Sequence, residues 1–337
     1  MPRKVKWGIL GVASLVRRRV MPALLQCRHT EIAAIGSRSL ENAQSFAAEN
    51  GIPRAYGSYE ELLGDPEIEV VYNPLPNHLH VPWSIEAARK GKHVLCEKPL
   101  SLTVAEARRL VEARDEYNVK IAEAFMIRTH PQWLRTEELV RSGRIGKLRS
   151  SSGYFSYSNV DPANTRNILE FGGGALYDIG CYPIKTTRFV FGEEPIRVFG
   201  CIERDPSFTT DRLTSAVLEY PSGQAIFTCS TQNVYYQRMQ FFGTEGHIDV
   251  EIPFNAPTDR PTRIVIDSGK DLFGSGRTIE SFPVCNQFTI QADLFSTAVL
   301  EDQQVVNPLE DAIGNMAVIE AVFRSADSGK WERPERL

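Results

Sequence analysis

The six cysteines of this 337-residue chain, Cys27, Cys96, Cys181, Cys201, Cys229 and Cys285, form no CxxC pair and no cluster with histidines at metal-ligand spacing. No metal site and no disulfide framework is expected, and a reducing, cytoplasmic compartment follows. Basic residues are not in excess either. A formal net charge of −4 leaves no field to neutralise phosphates, which excludes a nucleic-acid surface. The one basic run, Arg17 to Arg19, reads as a solvated helix face. No stretch of about 18 apolar residues occurs, and MPRKVKWGIL lacks the long apolar stretch and cleavage signal of a secretory leader, so no membrane association is expected. Internal repeats and low-complexity segments are missing too.

What is there is an ordinary globular composition, 42% hydrophobic and 24% charged, in a chain long for one core, so two domains are expected. VKWGIL (5–10), EIAAIG (31–36), EVVYN (69–73), HVLCE (93–97) and KIAEAF (120–125) read as strands. Helical stretches run to about Leu25 and over 40–50, 77–90 and 103–117. Strand and helix in alternation predict an α/β Rossmann domain, a doubly wound parallel sheet, over 1–126. From 127 to 337 the pattern changes. A helix over 132–142, the strand LRSSSGYFSYS (148–158) and a helix over 175–190 precede PIRVFGCIE, TSAVLEYP, QAIFTCSTQ, RMQFFGT and HIDVEIP. YPSG (220–223) and GTEG (243–246) supply hairpin turns, so this part is predicted to be an α+β domain with a large, mainly antiparallel open sheet. Helices at about 287–300 and 309–326 end the chain and are expected to pack back toward the first domain.

The turn after the first strand is poor in glycine. A dinucleotide fingerprint uses three glycines so that helix N-terminal amides can approach a pyrophosphate; GILGVASLV has Gly11, Ala13 and Val16 at those places. Its position opening the first strand–helix unit still predicts cofactor binding by Gly11, Val12, Ala13 and Ser14. An acid is missing as well. NAD-selective enzymes carry Asp or Glu after the second strand, whereas AIGSRS puts Ser37 and Arg38 there, and an Arg suits a 2′-phosphate. NADP is therefore the expected cofactor, with NAD possible.

Ligands of open parallel sheets bind outside the carboxyl ends of the strands. NPLPNHLH (73–80) brings Pro74, Leu75, Asn77 and His78 to that end, and CEKPL (96–100) brings Glu97 and Lys98, with Pro99 fixing the turn and able to sit on a cis bond. In the second domain, FGGGALYDIGCYPIK sets Asp178 and Tyr182 four apart on one helix face, while Tyr177 and Tyr182 lie on different faces. Gly172 to Gly174 are expected to let the backbone pass close to cofactor or substrate. A phenol of ordinary pKa about 10 is a poor base near neutrality, and a nearby ammonium favours the phenolate. Lys98 can supply that ammonium to Tyr182, whereas Lys185 follows Tyr182 at i+3 and does not complete a YxxxK motif. Asp178 would hydrogen-bond a substrate hydroxyl, hold Lys98, or pair with a nearby arginine.

NPLPNHLH, EKP and GGGALYDIGCY, in this order, resemble the glucose-fructose oxidoreductase / inositol dehydrogenase / MocA (Gfo/Idh/MocA) family over essentially the whole chain. In that family the EKP lysine and a His or Tyr after GGG flank the substrate carbon beside the nicotinamide. Tyr182 here resembles the Tyr branch, which includes glucose-fructose oxidoreductase, dimeric dihydrodiol dehydrogenase and NADP-dependent xylose dehydrogenase. The resemblance implies that Arg128, His130 and Arg166 line the cofactor or substrate pocket, although each could equally be structural; Phe155 and Tyr157 alternate on a strand that would pass it or belong to the core.

The reading is an NADP-dependent oxidoreductase acting on a sugar or polyol carbon, with aldose C1 oxidation to the lactone as first choice and Lys98 and Tyr182 as proton relay. A trans-dihydrodiol dehydrogenase, a nucleotide-sugar ketoreductase, an aldose-aldose oxidoreductase and a non-catalytic NADP-binding sensor are the alternatives. The resemblance implies a homodimer or tetramer built through the open second-domain sheet.

Overall fold

Val5–Leu10 (β1), Thr30–Gly36 (β2), Arg54–Tyr56 (β3), Val70–Asn73 (β4), His93–Glu97 (β5) and Ile121–Ala124 (β6) pair in parallel, in the order β3-β2-β1-β4-β5-β6. β4 and β6 are buried at every residue, as near-continuous apolar strands covered on both faces should be. The computed structural model describes residues 3–336; residues 1, 2 and 337, the outer ends of the two expected domains, lie outside the described residues. Within it the chain divides into two compact units: the residues up to Thr129 with Asn286–Ile313, and His130–Cys285 with the residues from Gly314 onward.

The first unit is thus the parallel sheet plus the helix Gln287–Leu300, which returns from far along the chain. That helix is tied to the sheet by Trp7, whose Nε1 donates to Ser296 Oγ at 3.0 Å and whose ring meets Phe295 edge-on at 5.8 Å. The short strand β3 and the helix Tyr59–Leu63 were not foreseen. Three residues carry no readable alternation, and the segment is held instead by side chains: Arg54 pairs with Asp65 at 3.0 Å and Tyr56 donates to the same carboxylate at 2.8 Å. The expected helix over 77–90 is a 3₁₀ turn, Asn77–Leu79, followed by the α-helix His80–Arg89. The chain leaves β1 toward β2 on one side and enters β4 on the other, so β1 and β4 flank the switch point where such sheets open a crevice.

In the second unit Leu148–Ser158 (β7), Arg197–Arg204 (β8), Asp211–Glu219 (β9), Gln224–Ser230 (β10), Gln232–Gly243 (β11), His247–Val250 (β12), Thr262–Asp267 (β13) and Arg277–Phe282 (β14) form one sheet. Its order is β14-β13-β12-β11-β7-β10-β9-β8, and every neighbouring pair is antiparallel except β7 with β10. Both expected hairpins close, with Tyr220 N donating to Gly223 O and Gly243 N to Gly246 O, each at 2.8 Å. β13 and β14 extend the sheet beyond the strands read from sequence. The helix Pro131–Arg141 and the helix Cys181–Phe191 belong to this unit, and Leu309–Ser328 is divided between the units at Ile313. Among the described residues, no helix is long and apolar enough to cross a membrane.

Candidate active site

At the switch point of the first unit lies a cleft of about 400 Å³ lined by Gly11, Val12 and Ala13 after β1, Ser37 and Arg38 after β2, and Pro74 and Leu75 after β4. Gly11 has φ +85°, and a Cβ there would sit 3.2 Å from Leu75 Cδ2 and 3.4 Å from Tyr59 Oη. One glycine is retained because this one turn needs both the left-handed backbone and the missing side chain. The helical turn that follows begins at Ser14, so its first amides stand beside the cleft, as an anionic pyrophosphate requires. Ser14 itself is exposed and is not part of the lining.

Arg17, Asn42 and Tyr59 also line the cleft, and sequence reasoning missed all three. Arg17 belongs to the run expected as a solvated face; it is exposed, but it pairs with Glu49 at 2.7 Å and lies 4.8 Å from the Phe46 ring centroid. Tyr59 packs edge-on against Trp83 at 4.9 Å, its phenol pushed above the usual range by burial while the Arg38 guanidinium beside it pulls the other way. No acid replaces Arg38 in the lining, so the cleft suits a cofactor with an extra phosphate.

The turn carrying Lys98 is held from beneath. Glu97 is buried, accepts the Tyr72 hydroxyl at 2.6 Å and the Lys98 amide at 3.3 Å, and its carboxyl is pushed up by burial. Leu100 N donates to the buried Glu123 at 3.1 Å, and the Lys98–Pro99 peptide is cis. Lys98 is half-buried, as are Asn77, His78 and Arg128; none of these, nor Glu97, is in the lining of the cleft around Gly11.

In the second unit the segment after the glycines is a π-helical turn, Leu176–Gly180, continuing as the α-helix Cys181–Phe191. Gly174 has φ +117°, and a Cβ there would fall 1.9 Å from Asp211 Oδ1; one on Gly173 would fall 2.5 Å from Arg166 O. Gly173 and Gly174 therefore make room for the protein's own backbone and for Asp211. Asp211 Oδ2 accepts Leu176 N at 2.7 Å and Thr214 Oγ1 at 2.8 Å, so it caps the incoming turn from β9.

Asp178 and Tyr182 have different surroundings. One oxygen of Asp178, Oδ2, accepts both the Tyr157 hydroxyl at 2.6 Å and Arg166 Nε at 2.9 Å. The arginine pairing left open by the sequence is thus present. Burial, then the Asp178 charge, pushes the Tyr157 phenol well above its ordinary range, and the Asp178 carboxylate holds Arg166 firmly charged. Tyr157 is therefore a fixed donor. Tyr182 is 5% exposed and packs against Phe155, ring centroids 5.5 Å apart, and Phe254, 5.2 Å apart. The Arg166 guanidinium is within electrostatic reach of the Tyr182 phenol. Phe254, on the connection after β12, had no signal in the sequence. His130 caps the helix Pro131–Arg141, its Nδ1 accepting Gln132 N at 3.2 Å, and burial lowers its pKa to about 4.

These two constellations agree with what the chain is similar to. The model of the oxidoreductase family with an NAD-binding Rossmann fold matches residues 5–125, and that of the GFO/IDH/MocA C-terminal domain matches 133–249. The uncharacterized oxidoreductase ORF334 of Rhizobium meliloti is 46% identical over 97% of this chain and 98% of its own. D-xylose 1-dehydrogenase (NADP(+)) 2 of Haloferax volcanii is 34% identical over 96% of this chain and 98% of its own. The crystal structure of aldose-aldose oxidoreductase from Caulobacter crescentus complexed with glycerol superposes with a TM-score of 0.91 at 27% identity, covering 98% of this chain and all of that one. A parallel sheet with a cleft at its switch point, a mainly antiparallel partner sheet and sequence matches over nearly the full length lead to one assignment: the chain belongs to the Gfo/Idh/MocA family of oxidoreductases.

Proposed function

We propose that the protein is an NADP-dependent dehydrogenase that oxidises an aldose at C1 to its lactone. The observation that carries this reading is Tyr182, a phenol packed against the stacked rings of Phe155 and Phe254 with the Arg166–Asp178 pair beside it. An aromatic wall excludes water, and fixed charges then act on the hydroxyl more strongly than they would in solvent. NADP, when bound, supplies the hydride acceptor.

The residues of the chain handle the rest. Gly11, Val12 and Ala13 offer backbone to the pyrophosphate, and Arg38, set against Tyr59, takes the 2′-phosphate. Tyr182 Oη accepts the proton of the C1 hydroxyl as the C1–H pair of electrons departs and the C1–O bond becomes double. The Arg166 guanidinium favours the phenolate that accepts it, and the proposed relay gives the Lys98 ammonium the same role. Asp178, committed to Tyr157 and Arg166 through one oxygen, orients a sugar hydroxyl rather than moving the proton. A sugar as substrate accords with the xylose dehydrogenase and aldose-aldose oxidoreductase relatives.

Incubation with NADP or NAD and a panel of aldoses, inositols, dihydrodiols and 1,5-anhydro sugars tests it. Reduced nicotinamide with an aldose and NADP, and a lactone as product, is the expected result; activity confined to a diol or inositol overturns the substrate.

The open face of the second sheet carries a shallow groove of about 470 Å³ that includes Tyr154, Ile226, Thr228, Tyr236 and Arg238. We infer that a second copy covers this face, because an uncovered apolar sheet face is costly in a soluble chain. A homodimer or tetramer in light scattering at micromolar concentration is expected, and a monomer overturns it.

A further inference from the structure

His80 has no part in the proton relay just described, yet it is fully buried, at 0% exposure, where the helix His80–Arg89 begins. Its Nδ1 lies 2.8 Å from the carbonyl oxygen of Pro99, and its Nε2 lies 2.7 Å from that of Leu75. The two carbonyls belong to the two turns that matter most in this unit. Leu75 walls the cofactor cleft, and Pro99 follows Lys98 directly. The backbone of His80 is itself anchored, since Asn73 Nδ2 donates to His80 O at 3.0 Å and Asn73 Oδ1 accepts Leu75 N at 3.3 Å. The far side of the Lys98 turn is anchored too, by Glu97 and Glu123. The imidazole joins one turn to the other.

We infer that His80 is a positioning residue, a two-ended brace that sets the Lys98 turn in register with the wall of the cofactor cleft. The inference rests on Lys98 acting in the relay proposed above, and its two arms do separate work. Through Pro99 the ring fixes where the Lys98 ammonium stands; through Leu75 it fixes the cleft wall. Reach is the physical reason for histidine here, since its two nitrogens address two carbonyls at opposite ends of a rigid ring, which no hydroxyl or single amide does. Both partners are carbonyl oxygens and only accept, so the two arms are made together by the doubly protonated ring; burial chiefly, and the Lys98 charge, work against that form, and the two carbonyls work for it.

The arms can be tested separately, because an Asn amide takes the place of Nδ1 and a Gln amide that of Nε2. His80→Asn keeps a donor for Pro99 and should weaken NADP binding several-fold with a clearly smaller loss in kcat than His80→Gln shows. His80→Gln keeps a donor for Leu75 and should hold the NADP Kd while kcat falls about tenfold or more, the order expected when a catalytic group is misplaced by a fraction of an ångström. Equal effects of both variants on both quantities overturn the brace. In a Lys98→Met background His80→Gln should add less than twofold to the loss in kcat, whereas full additivity overturns the inference. If Lys98→Met alone leaves turnover intact, the relay fails, and the Kd difference between the Asn and Gln variants still decides the Leu75 arm. Should the variants fail to fold, nitrogen-15 NMR of the unmodified protein decides: a His80 ring N–H protected from solvent exchange supports the brace, and one exchanging as fast as a surface histidine overturns it.

Discussion

Tyr157 donates its hydroxyl to Asp178 Oδ2 at 2.6 Å, from β7 to the π-helical turn, and Arg166 donates to the same oxygen at 2.9 Å. Two side chains, 21 and 12 residues away in sequence, thus fix one carboxylate, and the pairing keeps a cation beside Tyr182. Tyr157→Phe removes one of the two donors. Turnover should fall roughly ten- to a hundredfold, the worth of one hydrogen bond to a charged group, with NADP binding unchanged. Steady-state kinetics beside a cofactor titration check it, and a loss in cofactor affinity would place Tyr157 elsewhere.

Tyr182→Phe keeps the ring that packs against Phe155 and Phe254 and removes only the hydroxyl. Loss of general-base catalysis should lower kcat by about 10²–10⁴-fold while the melting temperature and NADP Kd stay put. A variant that turns over normally would mean the proton leaves by another route. A protein that binds NADP but never turns over, with or without the hydroxyl, would be a sensor.

Arg38→Ala should weaken NADP binding about 10–100-fold, the equivalent of a lost charge-assisted contact, and leave NAD binding nearly untouched. Tyr59→Phe should give a smaller loss in the same direction, because Tyr59 only steadies the guanidinium. Fluorescence titration with both cofactors separates the cases; equal losses for NADP and NAD would remove Arg38 from the 2′-phosphate.

Asp211 makes stability depend on pH. Its carboxyl, 1% exposed, is pushed from the ordinary 3.8 to about 6 by burial, against the hydrogen bonds from Thr214 and Leu176. The folded state therefore binds this proton more tightly than the unfolded chain. The associated stabilisation is complete below about pH 4 and is lost as pH rises through about 6, on the order of 3 kcal/mol in all. Asp211→Asn cannot titrate, so its deficit relative to the parent should shrink between pH 4 and pH 7 in urea unfolding. Parallel stability curves for the two proteins would show that Asp211 is not the group responsible.

The parallel sheet was legible because its strands are covered on both faces and so read as unbroken apolar runs; VKWGIL, EVVYN and HVLCE could hardly be anything else. β3 and β14 were not, since the first is three residues long and the second is an edge strand with mostly exposed positions and no clean alternation; β13, an interior strand between β12 and β14, does alternate and was missed all the same. Gly11 was legible for a local reason, the left-handed turn after β1. Arg17, Asn42 and Tyr59 reach the cleft only because separate helices are laid around it, a relation no local pattern encodes.

By itself the sequence determined the order of the strands and helices with clear apolar patterns, the two hairpin turns, and the candidate residues Arg38, Lys98, Asp178 and Tyr182, because backbone preferences and motif spacing act over a few residues. Only the tertiary structure decided what each group touches. It gave Asp178 to Tyr157 and Arg166, set Gly174 against Asp211 and Gly173 against the Arg166 backbone, and stretched His80 between Leu75 and Pro99. Hydrogen bonds and burial are set by which distant segments meet, and a buried polar group must take its partner from whichever segment packs against it.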